Sequence, residues 1–193
     1  MCIIVCLKNN ITKKKEFKKH LLNLIFKKAK NKEEAENNKY VQIPNSVTSI
    51  ENDAFRWCKS LTSITIPNSV IYIRKRAIAF CKSLTSINIP NSVTSIGQEA
   101  FWACESLTSI TIRNLVTSIG DSAFYYCERL TSINIPNSVT SIDEYAFNDC
   151  KSLTSINIPS SLTSIGEGAF EDCKSLTYIN IPNSVTSIER STF

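Results

Sequence analysis

Six cysteines stand 23 residues apart: Cys58, Cys81, Cys104, Cys127, Cys150 and Cys173. Their spacing leaves three chemistries to weigh. An even count allows disulfides, and segments stacked ~5 Å apart bring successive Cα atoms within the range a bridge permits. Side chains in one column, however, point the same way and not at each other. Metal binding is worse placed, because four ligands in a straight column cannot surround a tetrahedral ion. Nucleophilic catalysis lacks a base, since the sole histidine, His20, lies far from the series. What remains is a ladder of buried, reduced thiols packing as small hydrophobes, which favours a cytoplasmic compartment. No Gly-rich phosphate loop or paired-carboxylate motif accompanies it. The expectation is a chain that is not an enzyme and takes no cofactor, metal or small-molecule substrate.

The two residues before each cysteine vary most. They read Arg56-Trp57, Ala79-Phe80, Trp102-Ala103, Tyr125-Tyr126, Asn148-Asp149 and Glu171-Asp172. Trp57, Phe80, Trp102, Tyr125 and Tyr126 therefore form an aromatic flank over four successive units, and acids follow. Exposed, this stripe is the candidate site for a protein partner. The alternative is that the rings tuck inward against neighbouring units. Arg74-Lys75-Arg76 resembles a nucleic-acid patch, but register sets Arg74 beside Glu51, and Arg76 between Asp53 and Glu99. These read as surface ion pairs, each worth about 0–1 kcal/mol.

These residues are positioned by a 23-residue unit that starts at Ile43, Ile66, Ile89, Ile112, Ile135, Ile158 and Ile181 without insertion or deletion. A fixed period of this length signals a solenoid. Leu61, Ile64 and Ile66, with their equivalents in each copy, spell Leu-x-x-Ile-x-Ile, whose alternation predicts a strand with one buried face. Pro44, Pro67, Pro90, Pro136, Pro159 and Pro182 end that strand. Val47–Ile50 and its copies predict a second, shorter strand. Gly97, Gly120 and Gly166 are expected to turn the chain, and Ala100-Phe101-x-x-Cys104 to form a single helical or 3₁₀ turn. One coil cannot bury its own Leu, Ile and Phe, so the coils must stack into parallel sheets around a shared core.

The pattern Ile-Pro-Asn-Ser-Val-Thr-Ser-Ile-Gly, Ala-Phe, Cys, Ser-Leu-Thr-Ser-Ile recurs over residues 43–193. It resembles the BspA-like, treponemal-type leucine-rich-repeat family. The resemblance implies a right-handed solenoid with Leu-Thr-Ser-Ile-x-Ile on the concave sheet. It also implies a role in protein–protein contact or adhesion, many members being surface proteins. Ser69, Ser92 and Ser138 stand where the standard leucine-rich pattern has an asparagine ladder. The presumed concave rows, Ser63 with Thr65 and their copies, are uniform and lack hot-spot anchors; Tyr178 is the exception.

Residues 1–40 differ from the body, residues 41–193, which carries about six complete repeats and a partial seventh. The leader holds 11 Lys against 4 Glu, and the body 11 Lys and Arg against 13 acids. Thr12 is a candidate N-cap for a helix to about Asn37, with Phe17, Leu21, Leu24, Ile25 and Ala29 as its apolar stripe. Lys13, Lys14, Lys15, Lys18, Lys19, Lys27, Lys28 and Lys30 occupy the other faces. Two readings stay open: an N-terminal cap on the first coil, or a basic amphipathic helix for an anionic membrane or nucleic acid. Cys2 and Cys6 read as buried small hydrophobes, and His20 as solvated. The apolar start lacks the features of a secretory signal, and no stretch has the length of a membrane-spanning helix. The chain stops in mid-repeat at Phe193, so two further expectations stand: self-association at that end, or a truncated repeat protein without independent function.

Overall fold

In the computed structural model, residues 39–193 are described. The leader's predicted helix, its lysines (Lys13, Lys14, Lys15, Lys18, Lys19, Lys27 and Lys28 among them), Cys2, Cys6 and His20 lie outside these residues.

Among the described residues, twelve short strands alternate. The longer ones are β1 (Tyr40–Gln42), β3 (Ser63–Thr65), β5 (Ser86–Asn88), β7 (Ser109–Thr111), β9 (Ser132–Asn134) and β11 (Ser155–Asn157). Between them run β2 (Ser49–Ile50), β4 (Tyr72–Ile73), β6 (Ser95–Ile96), β8 (Ser118–Ile119), β10 (Ser141–Ile142) and β12 (Ser164–Ile165). Every pairing is parallel and in the 23-residue register, as in Ile87↔Ile110↔Ile133↔Ile156. The two-residue strands build one continuous six-stranded sheet, β2 to β12. The three-residue strands form a pair, β1–β3, and a four-stranded sheet, β5 to β11.

Period-two alternation decides what faces inward. In β7, Ile110 is buried while Ser109 and Thr111 face out, and the other long strands repeat this. Each coil adds its Leu, Val, Ile, Ala, Phe and Cys to a single core that runs from Val41 to Cys173. Burying one such large aliphatic or aromatic side chain contributes about 1.5–3 kcal/mol, so coil-to-coil stacking supplies the stabilisation that no coil has alone. Phe101, Phe124, Phe147 and Phe170 stack face to face through its centre, with centroids 5.2, 5.2 and 5.5 Å apart, and Phe193 continues the row at 5.8 Å.

The segment before each cysteine is not a helical turn. In the third coil the amides of Ala100, Trp102 and Cys104 donate three residues back, to Gly97, Glu99 and Phe101. The amides of Glu99, Phe101 and Ala103 instead donate to the next coil, to the carbonyls of Asp121, Ala123 and Tyr125, each at 2.8 Å. Half of the amides thus stitch coils together where a helix would use them all internally. Glu99 and Ala103 adopt φ of 55° and 52° to permit this, a left-handed conformation no helix contains. The glycines also do something besides turning the chain. Gly97, Gly120 and Gly166 sit where coils approach most closely, and a Cβ there would lie 2.9, 2.9 and 2.5 Å from the preceding coil's backbone.

Candidate interaction surface

The cysteine column is the inner wall of the segment that carries the aromatics. Cys58, Cys81, Cys104, Cys127, Cys150 and Cys173 are buried, and none of them forms a disulfide. Each thiol from Cys81 onward donates to a carbonyl of the preceding coil, at 3.2–3.3 Å: Phe55, Ile78, Phe101, Phe124 and Phe147 in turn. Burial pushes the Cys104 and Cys173 thiols up to about 12, and Cys127 and Cys150 well above their ordinary value. They are neutral structural groups, as a column of reduced thiols should be. Among the described residues no cluster of His, Cys, Asp or Glu could hold a metal ion, and no helix is long and apolar enough to cross a membrane.

One residue outward, the five aromatics meet one another. Trp57 stacks on Phe80 with centroids 3.8 Å apart and planes 12° from parallel. Phe80 packs tilted against Trp102 at 4.6 Å, Trp102 edge-on against Tyr125 at 6.2 Å, and Tyr125 against Tyr126 at 5.2 Å. The rings are thus neither fully exposed nor tucked into the core. They lean on each other and form one unbroken ridge over four coils, with Trp57 43% and Tyr126 37% exposed at its ends and the other three rings half-buried.

The backbone beneath the ridge is unusual for such residues. Trp57, Phe80 and Tyr126 have φ of 66°, 60° and 61°, where a bulky side chain is an outlier. In the fifth and sixth coils the same position holds Asp149 and Asp172, at 57° and 56°, residues that tolerate the left-handed region better. Cations lie over the ridge. Arg56 is 5.7 Å from the Trp57 ring centre and 5.6 Å from Phe80, Lys59 is 5.4 Å over Trp57, and Lys151 is 5.0 Å over Tyr126. Tyr125 is held above the ordinary phenol range by burial first and then by the charge of Asp149.

Arg74 meets Glu51 at 3.6 Å and Arg76 meets Glu99 at 3.2 Å, the ion pairs expected for that basic triplet. Serines replace the asparagine ladder functionally. Ser69, Ser92, Ser138 and Ser161 donate to the carbonyls of Val47, Val70, Val116 and Val139 at 2.5–2.8 Å. Sequence reasoning passed over a second exposed set: Tyr72 on β4, Ile71 just before that strand, and Leu115 in the fourth coil. Arg74 lies 5.2 Å over the Tyr72 ring. Their signal was available as breaks in the Thr, Ser and Ser columns.

Comparison with known proteins agrees with this geometry. Residues 32–151 and 117–193 match the family model for the BspA-type leucine-rich repeat region, in six copies. A leucine-rich repeat protein of T. pallidum is 35% identical with a TM-score of 0.69, over 72% of this chain and 64% of that one. One from Bacteroides ovatus is 30% identical with a TM-score of 0.61, over 77% and 44%. One from Eubacterium ventriosum is 29% identical with a TM-score of 0.71, over 77% and 40%. The chain therefore spans less than two thirds of each of these proteins. No curated protein matches it.

Proposed function

This chain belongs to the BspA-type leucine-rich repeat family, and from that premise we propose that it is a non-enzymatic protein-interaction scaffold whose working surface is the aromatic flank of the first four coils. Family and fold fit an interaction scaffold in general; the flank is this chain's own feature. One observation carries the reading. Three large aromatics occupy left-handed backbone, at a cost of roughly 1–2 kcal/mol each, at a position the later coils fill with Asp. Partly exposed rings held at such a cost are what a binding ridge requires, and Trp and Tyr are the residues that dominate hot spots. The uniform Ser, Thr and Asn rows of the long strands offer no comparable anchors.

The test compares two immobilised full-length chains against lysate of the source cells: the natural chain, and one carrying Trp102→Ser with Tyr125→Ser. A protein retained by the first and lost by the second supports the flank. A partner retained equally by both places binding elsewhere on the molecule.

A further inference from the structure

Charge along the solenoid is divided by coil. Residues 43–88, the first two coils, hold six Lys and Arg against two acids, whereas residues 89–180, the next four, hold four against ten. The aromatic flank carries the same gradient. At its start, Arg56 and Lys59 lie over Trp57 and Phe80. Its middle is Trp102, Tyr125 and Tyr126. At its end, Glu171 and Asp172 take the register positions of Arg56 and Trp57, and the Asp172 side chain is 55% exposed.

A strip ordered basic, aromatic, acidic is complementary to itself when two copies lie antiparallel, and self-repulsive when they lie parallel. From this gradient we infer that the partner of the aromatic flank is a second copy of this chain, joined in an antiparallel pair whose two-fold axis passes between the third and fourth coils. Trp102 of one copy then packs against Tyr125 of the other around the axis. Arg56 and Lys59 in the first coil of each face Glu171 and Asp172 in the sixth coil of the other. The inference rests on the reading of the flank as a protein-binding surface and names the occupant.

Two features set the strength of the pair. The strip spans five coil steps, ~24 Å at ~4.8 Å per step, and is a single turn segment wide. It therefore falls below the ~1,200 Å² of total buried area that marks the small end of specific interfaces. Local ion pairs soften both ends: Arg56 with Asp53 at the basic end, and Lys151 with Glu128 and Asp149, and Lys174 with Asp172, at the acidic end. The pair is thus weak, concentration-dependent and salt-sensitive, with charge setting orientation and the central rings supplying most of the attraction.

Sedimentation velocity of the full chain over a concentration series, at low and high salt, tests it with three variants. Arg56→Gln with Lys59→Glu makes both ends of the flank acidic; Glu171→Lys with Asp172→Asn makes both ends basic; Trp102→Ser with Tyr125→Ser removes the centre. Each variant is first shown to be folded by circular dichroism. The natural chain is expected to dimerise, each charge variant to dimerise roughly tenfold less tightly, and an equal mixture of the two charge variants to recover the dimer. A natural chain that stays monomeric, or charge variants that self-associate undiminished, overturns the inference. Monomeric behaviour alongside capture of another protein through Trp102 and Tyr125 overturns self-pairing alone. A dimer undiminished by the loss of Trp102 and Tyr125 overturns the flank as its interface.

Discussion

Phe124→Ala measures how far the stack of coils behaves as one core. Phe124 is fully buried, and its ring lies 5.2 Å from Phe101 on one side and 5.2 Å from Phe147 on the other. Truncating a buried Phe to Ala costs about 3–5 kcal/mol, and the cost rises with the volume the surroundings cannot refill. Here the flanking rings are held by their own coils, and each lost stack is worth about 0.5–1.5 kcal/mol beyond burial. The expected loss is therefore in the upper half of that range, about 4–5 kcal/mol. The second coil supplies an internal comparison, because Ile78 fills the same column and is fully buried. Phe124→Ile should accordingly cost about 1–2 kcal/mol, since most of the volume stays and only the stacking goes. Urea unfolding followed by circular dichroism gives both values from the midpoint shift at constant slope. A loss below about 2 kcal/mol for Phe124→Ala, or equal losses for Ala and Ile, would refute the idea that stacked rings and core volume hold adjacent coils together.

Other consequences follow from the cysteine column and the glycines. The thiols of Cys104, Cys127, Cys150 and Cys173 are raised by burial, so their stabilisation is complete below the ordinary thiol value of 9.0 and is lost as pH rises above it, through about 12 for Cys104 and Cys173. Urea midpoints should therefore fall steeply on the alkaline side and less steeply in Cys104→Ala; a flat profile there contradicts the buried ladder. Gly120→Ala places a Cβ 2.9 Å from the backbone of Gln98, Gly97 and Ile96, and should destabilise by about 1–3 kcal/mol in the same assay. Unchanged stability would show that the coils are not in close contact there.

The strands were legible because the signals that make them are local. Ser-Ile-Thr or Ser-Ile-Asn alternates with period two, proline stops it, and the unbroken 23-residue repeat leaves the parallel register no freedom. The segment before each cysteine was misread for a physical reason. Ala-Phe-x-x-Cys has the spacing of a helical turn, but left-handed residues such as Glu99 and Ala103 redirect alternate amides to the next coil. Nothing in a Glu or an Ala announces that conformation, and only the competition between coils for hydrogen bonds imposes it. The glycines were read only in part, since Gly97 opens the turn that the Ala100 amide closes and also permits close approach between coils, which the turn signal alone did not show. The aromatic flank was visible as a run of residue types. That its rings lean on one another, and that Trp57, Phe80 and Tyr126 are held in left-handed backbone, required coordinates.

Both tryptophans of the chain, Trp57 and Trp102, lie on this ridge, so their fluorescence reports on the proposed surface directly. The deciding measurement is acrylamide quenching of the full chain, free and in complex with whatever protein it binds, its own second copy included. The account predicts that complex formation shields the tryptophans and lowers the quenching constant. A complex that forms while quenching stays that of the free chain would show that the partner binds elsewhere, and the aromatic flank would cease to be the working surface.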